Sequence, residues 1–260
     1  MDVFPQPFVM VYAFAFVWGA VVGSFLNVLV YRLPREISVV KTPPSSCPAC
    51  STPIKWFDNI PLVSWVFLGG RCRYCTESIS VRYPLVELTA GLLAVATVAR
   101  WGLSVIGLEV LIFAWVSLAL GLIDFDYQIL PNVLTYPSIV FGLLFSFLGG
   151  YTWWLDALVG ALVGALLPIL VIVIYKLWRG IEGMGWGDVK YLAAIGAVVG
   201  LRGVVGILVV ASILGALVGL ALIASGRGSG KTALPFGTFL AIAVILWLYA
   251  PASWLALSPL

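Results

Sequence analysis

Two aspartates are placed where an apolar chain has no ordinary use for them. Asp188 follows a glycine-punctuated turn, Gly183-Met184-Gly185-Trp186-Gly187-Asp188-Val189-Lys190, and opens an apolar run. Asp124 closes another run, in Ile123-Asp124-Phe125-Asp126-Tyr127. A carboxylate in a membrane helix costs about 2.5–3.5 kcal/mol on insertion scales, so its retention points to a function. Two carboxylates across one water cannot both ionise. One then acts as acid and the other as base toward that water, which is hydrolytic chemistry of the aspartic type. The dipole at a helix start favours the ionised form of Asp188. Glycines 183, 185 and 187 leave room for a neighbour or an extended peptide. Asp126 lies two residues beyond Asp124 and so points about 200° away on a helix. Asp124 is the deeper of the two, and Asp126 is nearer the headgroups and solvated.

Other uses of these acids have to be weighed. Both could cap helices, or pair with Lys190 and Arg179. A proton-coupled transporter could use the same aspartates as a relay, but it would hold them near the bilayer midplane in paired, discontinuous helices. A zinc-stabilised membrane scaffold without catalysis is a third reading. The chain has no histidine, which removes Ser-His-Asp and Cys-His nucleophile systems and histidine zinc proteases.

The four cysteines form two CxxC pairs, Cys47–Cys50 and Cys72–Cys75, 21 residues apart. That spacing points to a tetrahedral zinc site of four thiolates, closed and therefore structural. Two disulfides are the competing reading, but the surrounding charge puts the loop in the reducing cytoplasm. Ser225-Gly226-Arg227-Gly228-Ser229-Gly230-Lys231-Thr232 imitates a phosphate-binding loop. It lacks the first glycine, follows a membrane helix and opens no helix, so ATP binding is not expected. No nucleic-acid partner is expected either.

The elements that must position these groups are membrane helices. Of 260 residues, 62% are hydrophobic and 10% charged, and the mean hydropathy is +1.12. Soluble domains carry about 25% charged residues, so the chain reads as an all-α polytopic membrane protein. Apolar runs at 8–31, 84–101, 103–125, 131–150, 154–178, 188–201, 203–225 and 234–255 give about eight transmembrane helices. The organisation expected is a first helix (1–31), a cytoplasmic four-cysteine zinc-binding loop domain (32–83) and a seven-helix bundle carrying the aspartates (84–260). The start, Met1-Asp2-Val3-Phe4-Pro5, lacks a basic region, so the first helix is expected to be retained. If the cysteine loop is cytoplasmic, twelve Lys and Arg fall on its side and only Arg100 and Arg202 on the other. Asp124 and Asp188 then lie at cytoplasmic helix ends. The GxxxG pairs Gly19/Gly23, Gly160/Gly164, Gly196/Gly200 and Gly215/Gly219 predict close helix packing. Asn27 reads as interhelical glue ahead of a ligand contact. Of the two glutamates in or near spans, Glu109 falls near the outer face and Glu87 near the cytoplasmic one; Glu87 is the more interesting, though a helix-end contact to Arg82 would explain it.

Taken together, the motifs resemble the type IV prepilin peptidases, bifunctional leader peptidases and N-methyltransferases. The resemblance covers nearly the whole chain. It runs through Gly23-Ser24-Phe25-Leu26-Asn27, the double CxxC loop with Asn59-Ile60-Pro61-Leu62-Val63-Ser64-Trp65, and Arg82-Tyr83-Pro84-Leu85-Val86-Glu87. It continues with Asp124-Phe125-Asp126, Leu130-Pro131-Asn132, Glu182 to Lys190, and Pro235-Phe236-Gly237. Tyr127 stands where many members have histidine, and Trp186 where tyrosine is commoner. The resemblance implies an aspartic endopeptidase of the bacterial inner membrane with Asp124 and Asp188 as its catalytic pair. Gly185, Gly187, Lys190 and Asp126 support them. Its substrates would be prepilins and pseudopilins of pilus or type II secretion systems, cut on the cytoplasmic side of the bilayer. It also implies S-adenosyl-L-methionine as donor for methylating the new N-terminus, at a site the residues do not locate.

Overall fold

The structure, a computed structural model, describes residues 6–39, 45–180, 183–227 and 233–250. Eight α-helices run through them: α1 (Gln6–Arg32), α2 (Val63–Phe67), α3 (Arg82–Trp101), α4 (Val105–Tyr127), α5 (Asn132–Phe147), α6 (Trp154–Arg179), α7 (Trp186–Ala224) and α8 (Phe236–Tyr249). The only β pairing among the described residues is two isolated bridges in the cysteine loop. Helices α1, α3, α4, α6 and α7 are long and apolar enough to cross a membrane, and α5 and α8 are shorter apolar helices. The chain is an all-α, multi-pass membrane protein.

At 39 residues α7 is two spans in one. It breaks at Gly200, whose backbone (φ 75, ψ −174) is not helical. A Cβ placed on Gly164 of α6 would collide with Leu192 O and lie 3.1 Å from Val204. In a straight helix residues twelve apart are separated by about 18 Å, so the chain reverses at Gly200. The two arms, 186–199 and 201–224, match the spans expected at 188–201 and 203–225. With them the apolar helical segments among the described residues number eight.

Packing divides the chain into residues 1–102 and 103–260. The three-part organisation expected from sequence, with boundaries at 32 and 84, divides the chain by bilayer and loop, whereas this division is by packing alone. Here α3 joins α1 and the cysteine loop, because α1 and α3 pack backbone to backbone through the first GxxxG pair. A Cβ on Gly19 would lie 2.7 Å from Ala90 O, and one on Gly23 2.7 Å from Glu87 Cα.

In the second unit Gly160 and Gly164 of α6 press on α7 in the same way, with Gly160 against the Gly196 carbonyl. The second arm of α7 runs antiparallel to α8, Gly215 facing Phe239 and Gly206 facing Trp247. At one end of this bundle two acids fasten backbone. Glu109 Oε2 accepts the Tyr151 N–H at 2.6 Å. Asp156 accepts the Leu201 N–H at 3.1 Å and the Thr152 hydroxyl at 3.0 Å. The other end carries Asp124, Asp188 and the start of α8.

Candidate active site and metal centre

Asp124 lies in the last turn of α4, which ends at Gln128 in a left-handed conformation (φ 54) before Pro131 opens the approach to α5. Its side chain is 5% exposed. Oδ2 accepts the Thr238 N–H at 2.8 Å and lies 3.3 Å from the Thr238 hydroxyl. Asp124 thus sits over the unsatisfied amides at the start of α8, where the helix dipole favours an anion. Pro235 provides that start, and Gly237 permits the approach. A Cβ on Gly237 would lie 3.0 Å from Asp124 Cγ and from both methyls of Leu130.

Asp188 is the third residue of α7 and 8% exposed. Its N–H bonds to Gly185 O at 3.1 Å, and the Gly185 N–H donates back to its carboxylate. The exchange resembles a capping box. Each aspartate is therefore held by backbone N–H groups of a helix start, α8 for Asp124 and α7 for Asp188. The two are close enough for their charges to interact. Among the described residues neither forms an ion pair. Lys190, a candidate partner on sequence grounds, bonds instead to Asn132 Oδ1 and lies 5.3 Å from the Tyr136 ring centre.

The glycines of the turn differ in use. Gly187 abuts Leu130, and Gly183 abuts Tyr175. Gly185 is exposed, and a Cβ there would meet only the Asp188 carboxylate and the neighbouring backbone. Asp126 is exposed, as expected. The imitation phosphate loop lies largely outside the described residues, as do Lys41 and Glu182.

The four cysteine sulfurs all lie within 4.8 Å of one another, and Cys47 and Cys75 are 3.7 Å apart. A tetrahedral zinc with Zn–S bonds of about 2.3 Å sets its sulfurs about 3.8 Å apart. The cluster is arranged to hold a metal ion. Each pair forms a tight turn, closed by Ser51 N–H on Cys47 O at 2.8 Å and Thr76 N–H on Cys72 O at 3.0 Å. The Thr52 hydroxyl and amide draw the Cys50 thiol down to about 6, and the Cys75 and Tyr74 amides lower Cys72. The Glu77 amide opposes the trend at Cys75, but burial and the neighbouring sulfurs push that thiol up to about 12. Gathering four thiolates here calls for a cation. Beside them the Arg73 guanidinium, 2.9 Å from Asp58 Oδ2, holds that carboxyl below the usual range.

Residues 17–101 match the bacterial peptidase A24 N-terminal domain, and residues 111–220 match the type IV leader peptidase family. A prepilin leader peptidase/N-methyltransferase of Pseudomonas putida is 42% identical, over 90% of this chain and 89% of its own. One from Aeromonas salmonicida is 39% identical, over 91% and 90%. The chain belongs to the type IV leader peptidase family. No solved structure matches it.

Within this family framework three residues at the site had no role assigned from sequence. Leu130 is wedged between Gly187 and Gly237, while Gly237 and Thr238 deliver the amides to Asp124. Leu130 and Gly237 fall within the Leu130-Pro131-Asn132 and Pro235-Phe236-Gly237 motifs, each with a proline at a helix start, whereas Thr238 lies outside both and its amide leaves no mark in the sequence. Glu87 also differs from expectation. Its partners are Leu62 N–H and the Ser24 hydroxyl, and Arg82 is not among them. Asn27 does act as glue, donating from Nδ2 to Tyr83 O at 3.2 Å.

Proposed function

We propose that this chain removes the short basic leader from type IV prepilins and pseudopilins, and methylates the N-terminus so exposed. Asp124 and Asp188 are its catalytic pair. The observation that carries the reading is their meeting at one end of the bundle, each on the amides of a helix start and neither on a cation. Between them the pair holds one proton. The ionised carboxylate takes a proton from the attacking water, and the protonated one first hydrogen-bonds to the scissile carbonyl. The leaving nitrogen is then protonated. The products are a leader carboxylate and a free amine on the mature chain. Gly185 gives the extended peptide a place beside Asp188, and Lys190 fixes the start of α7 to Asn132. Asp126 stays in water beyond the pair.

The site faces the cytoplasm from the inner membrane, a reading supported by the twelve-to-two distribution of Lys and Arg. A prepilin suits that side, with its apolar helix in the bilayer and its basic leader in the cytoplasm. Zinc on Cys47, Cys50, Cys72 and Cys75 staples a loop too short to bury a core of its own. S-adenosyl-L-methionine supplies the methyl group. The relay of a transporter finds no support, since both carboxylates lie at one bundle end.

Purified protein incubated with a prepilin, with and without S-adenosylmethionine, tests both activities by mass. The expected products are a leader-free chain without the donor, and the same chain heavier by one methyl group with it. An uncut prepilin in both reactions would refute the reading.

A further inference from the structure

The peptidase reading leaves a sizeable cavity of the first unit unused. Within residues 1–102 the last turns of α1, the cysteine loop and the start of α3 enclose about 580 Å3. This is the size of a small-molecule site. Tyr31, Trp65, Tyr74 and Tyr83 line it, and Cys47 and Cys72 form part of its wall. Glu87 also lines it and is 8% exposed. Among the described residues no Lys or Arg forms an ion pair with it.

The carboxylate is held with some effort. Glu87 Oε2 accepts the Leu62 N–H at 2.7 Å. Leu62 has φ 62 and ψ −50, at the centre of a turn closed by Val63 N–H on Pro61 O at 2.6 Å. For a residue with a side chain such a turn is strained, and strain of this kind clusters at functional sites. Ser24, brought to α3 by the close approach at Gly23, gives Glu87 its second hydrogen bond.

We infer that this cavity is the site of N-methyl transfer, with Glu87 as the group that receives the new N-terminal ammonium. The inference rests on the N-methyltransferase reading above and adds a location and a residue to it. A buried carboxylate without a counter-charge is costly until a cation arrives. Both reactants of this transfer are cations, an α-ammonium and a sulfonium, and aromatic faces attract such groups. The chemistry balances with these parts. Glu87 takes one proton from the ammonium. The freed lone pair on nitrogen attacks the donor's methyl carbon, the carbon–sulfur bond breaks, and its electron pair stays on sulfur. The products are a methylammonium N-terminus and S-adenosylhomocysteine. Glu87 then returns its proton to solvent.

The test uses the full chain in lipid nanodiscs and a peptide that already begins at a mature N-terminus, so no cleavage is needed. Wild-type protein is irradiated with methyl-labelled S-adenosylmethionine, digested, and the labelled peptides are mapped by mass. Label is expected within residues 24–87 and is lost when S-adenosylhomocysteine competes. Glu87→Gln is expected to keep the label but to methylate the peptide at least about 100-fold more slowly, the scale of a lost proton acceptor. Label confined to 103–260, or Glu87→Gln methylating at the wild-type rate, overturns the inference alone. Wild-type protein that neither takes label nor methylates overturns it together with the N-methyltransferase reading. Should Glu87→Gln fail to accumulate, the wild-type label map decides.

Discussion

Asp124 and Asp188 are held by backbone amides, which makes the glycines and threonine around them as sensitive as the acids. Gly237→Ala puts a methyl 3.0 Å from Asp124 Cγ and from Leu130, both already packed. Overpacking of this kind costs about 1–3 kcal/mol, so a thermal melt in detergent should shift down and leader cleavage should fall with it. Thr238→Val removes the hydroxyl but leaves the 2.8 Å amide bond in place. Its expected loss in cleavage rate is about tenfold or less, equal to the net worth of one ordinary hydrogen bond. A Thr238→Val loss larger than that of Gly237→Ala would reverse this ranking of contacts. The acids themselves were legible in the sequence, because an ionisable group in an apolar run has few ordinary roles. Their amide donors were not. Thr238 lies 114 positions from Asp124, and a backbone N–H has no letter in a sequence.

Helix boundaries were legible wherever an apolar run of about 20 residues met a polar or proline-containing break. The reversal inside α7 was legible too, as the separate runs 188–201 and 203–225. What fixes it was not. Asp156 accepts the first amide of the second arm, across 45 residues of chain. Removing that cap by Asp156→Ala should cost about 0.5–2 kcal/mol. Gly200→Ala should cost more, since φ 75 disfavours a side chain and its Cβ would fall on the pinned Asp156 carboxylate. Thermal unfolding followed by tryptophan fluorescence ranks the two. A Gly200→Ala protein as stable as wild type would contradict the reversal described here. The grouping of α3 with α1 had no sequence signal beyond the glycine spacing, which does not say which helix will be approached.

Across the whole molecule two units divide the chemistry, and they should respond differently to metal loss. One zinc per chain is expected by elemental analysis and should be lost in Cys50→Ser. A strong chelator should open residues 45–80 to proteolysis while 103–260 stays protected. Acid should act in the same direction. Thiolates lose metal as they take up protons. The carboxyl of Asp58, lowered by Arg73, gives stability that is present above its unfolded value of about 3.9 and lost as pH falls through its folded one. Metal content that stays constant as pH falls would contradict a four-thiolate site. The central claim concerns the other unit, and the rate of leader removal by purified Asp124→Asn and Asp188→Asn proteins tests it most directly. Each substitution keeps the shape of the side chain and most of its hydrogen bonds but removes the shared proton. Each should slow cleavage by at least about 100-fold, the scale of a lost acid or base, with the protein still folded in the membrane. Cleavage by either variant at near the wild-type rate would contradict the account.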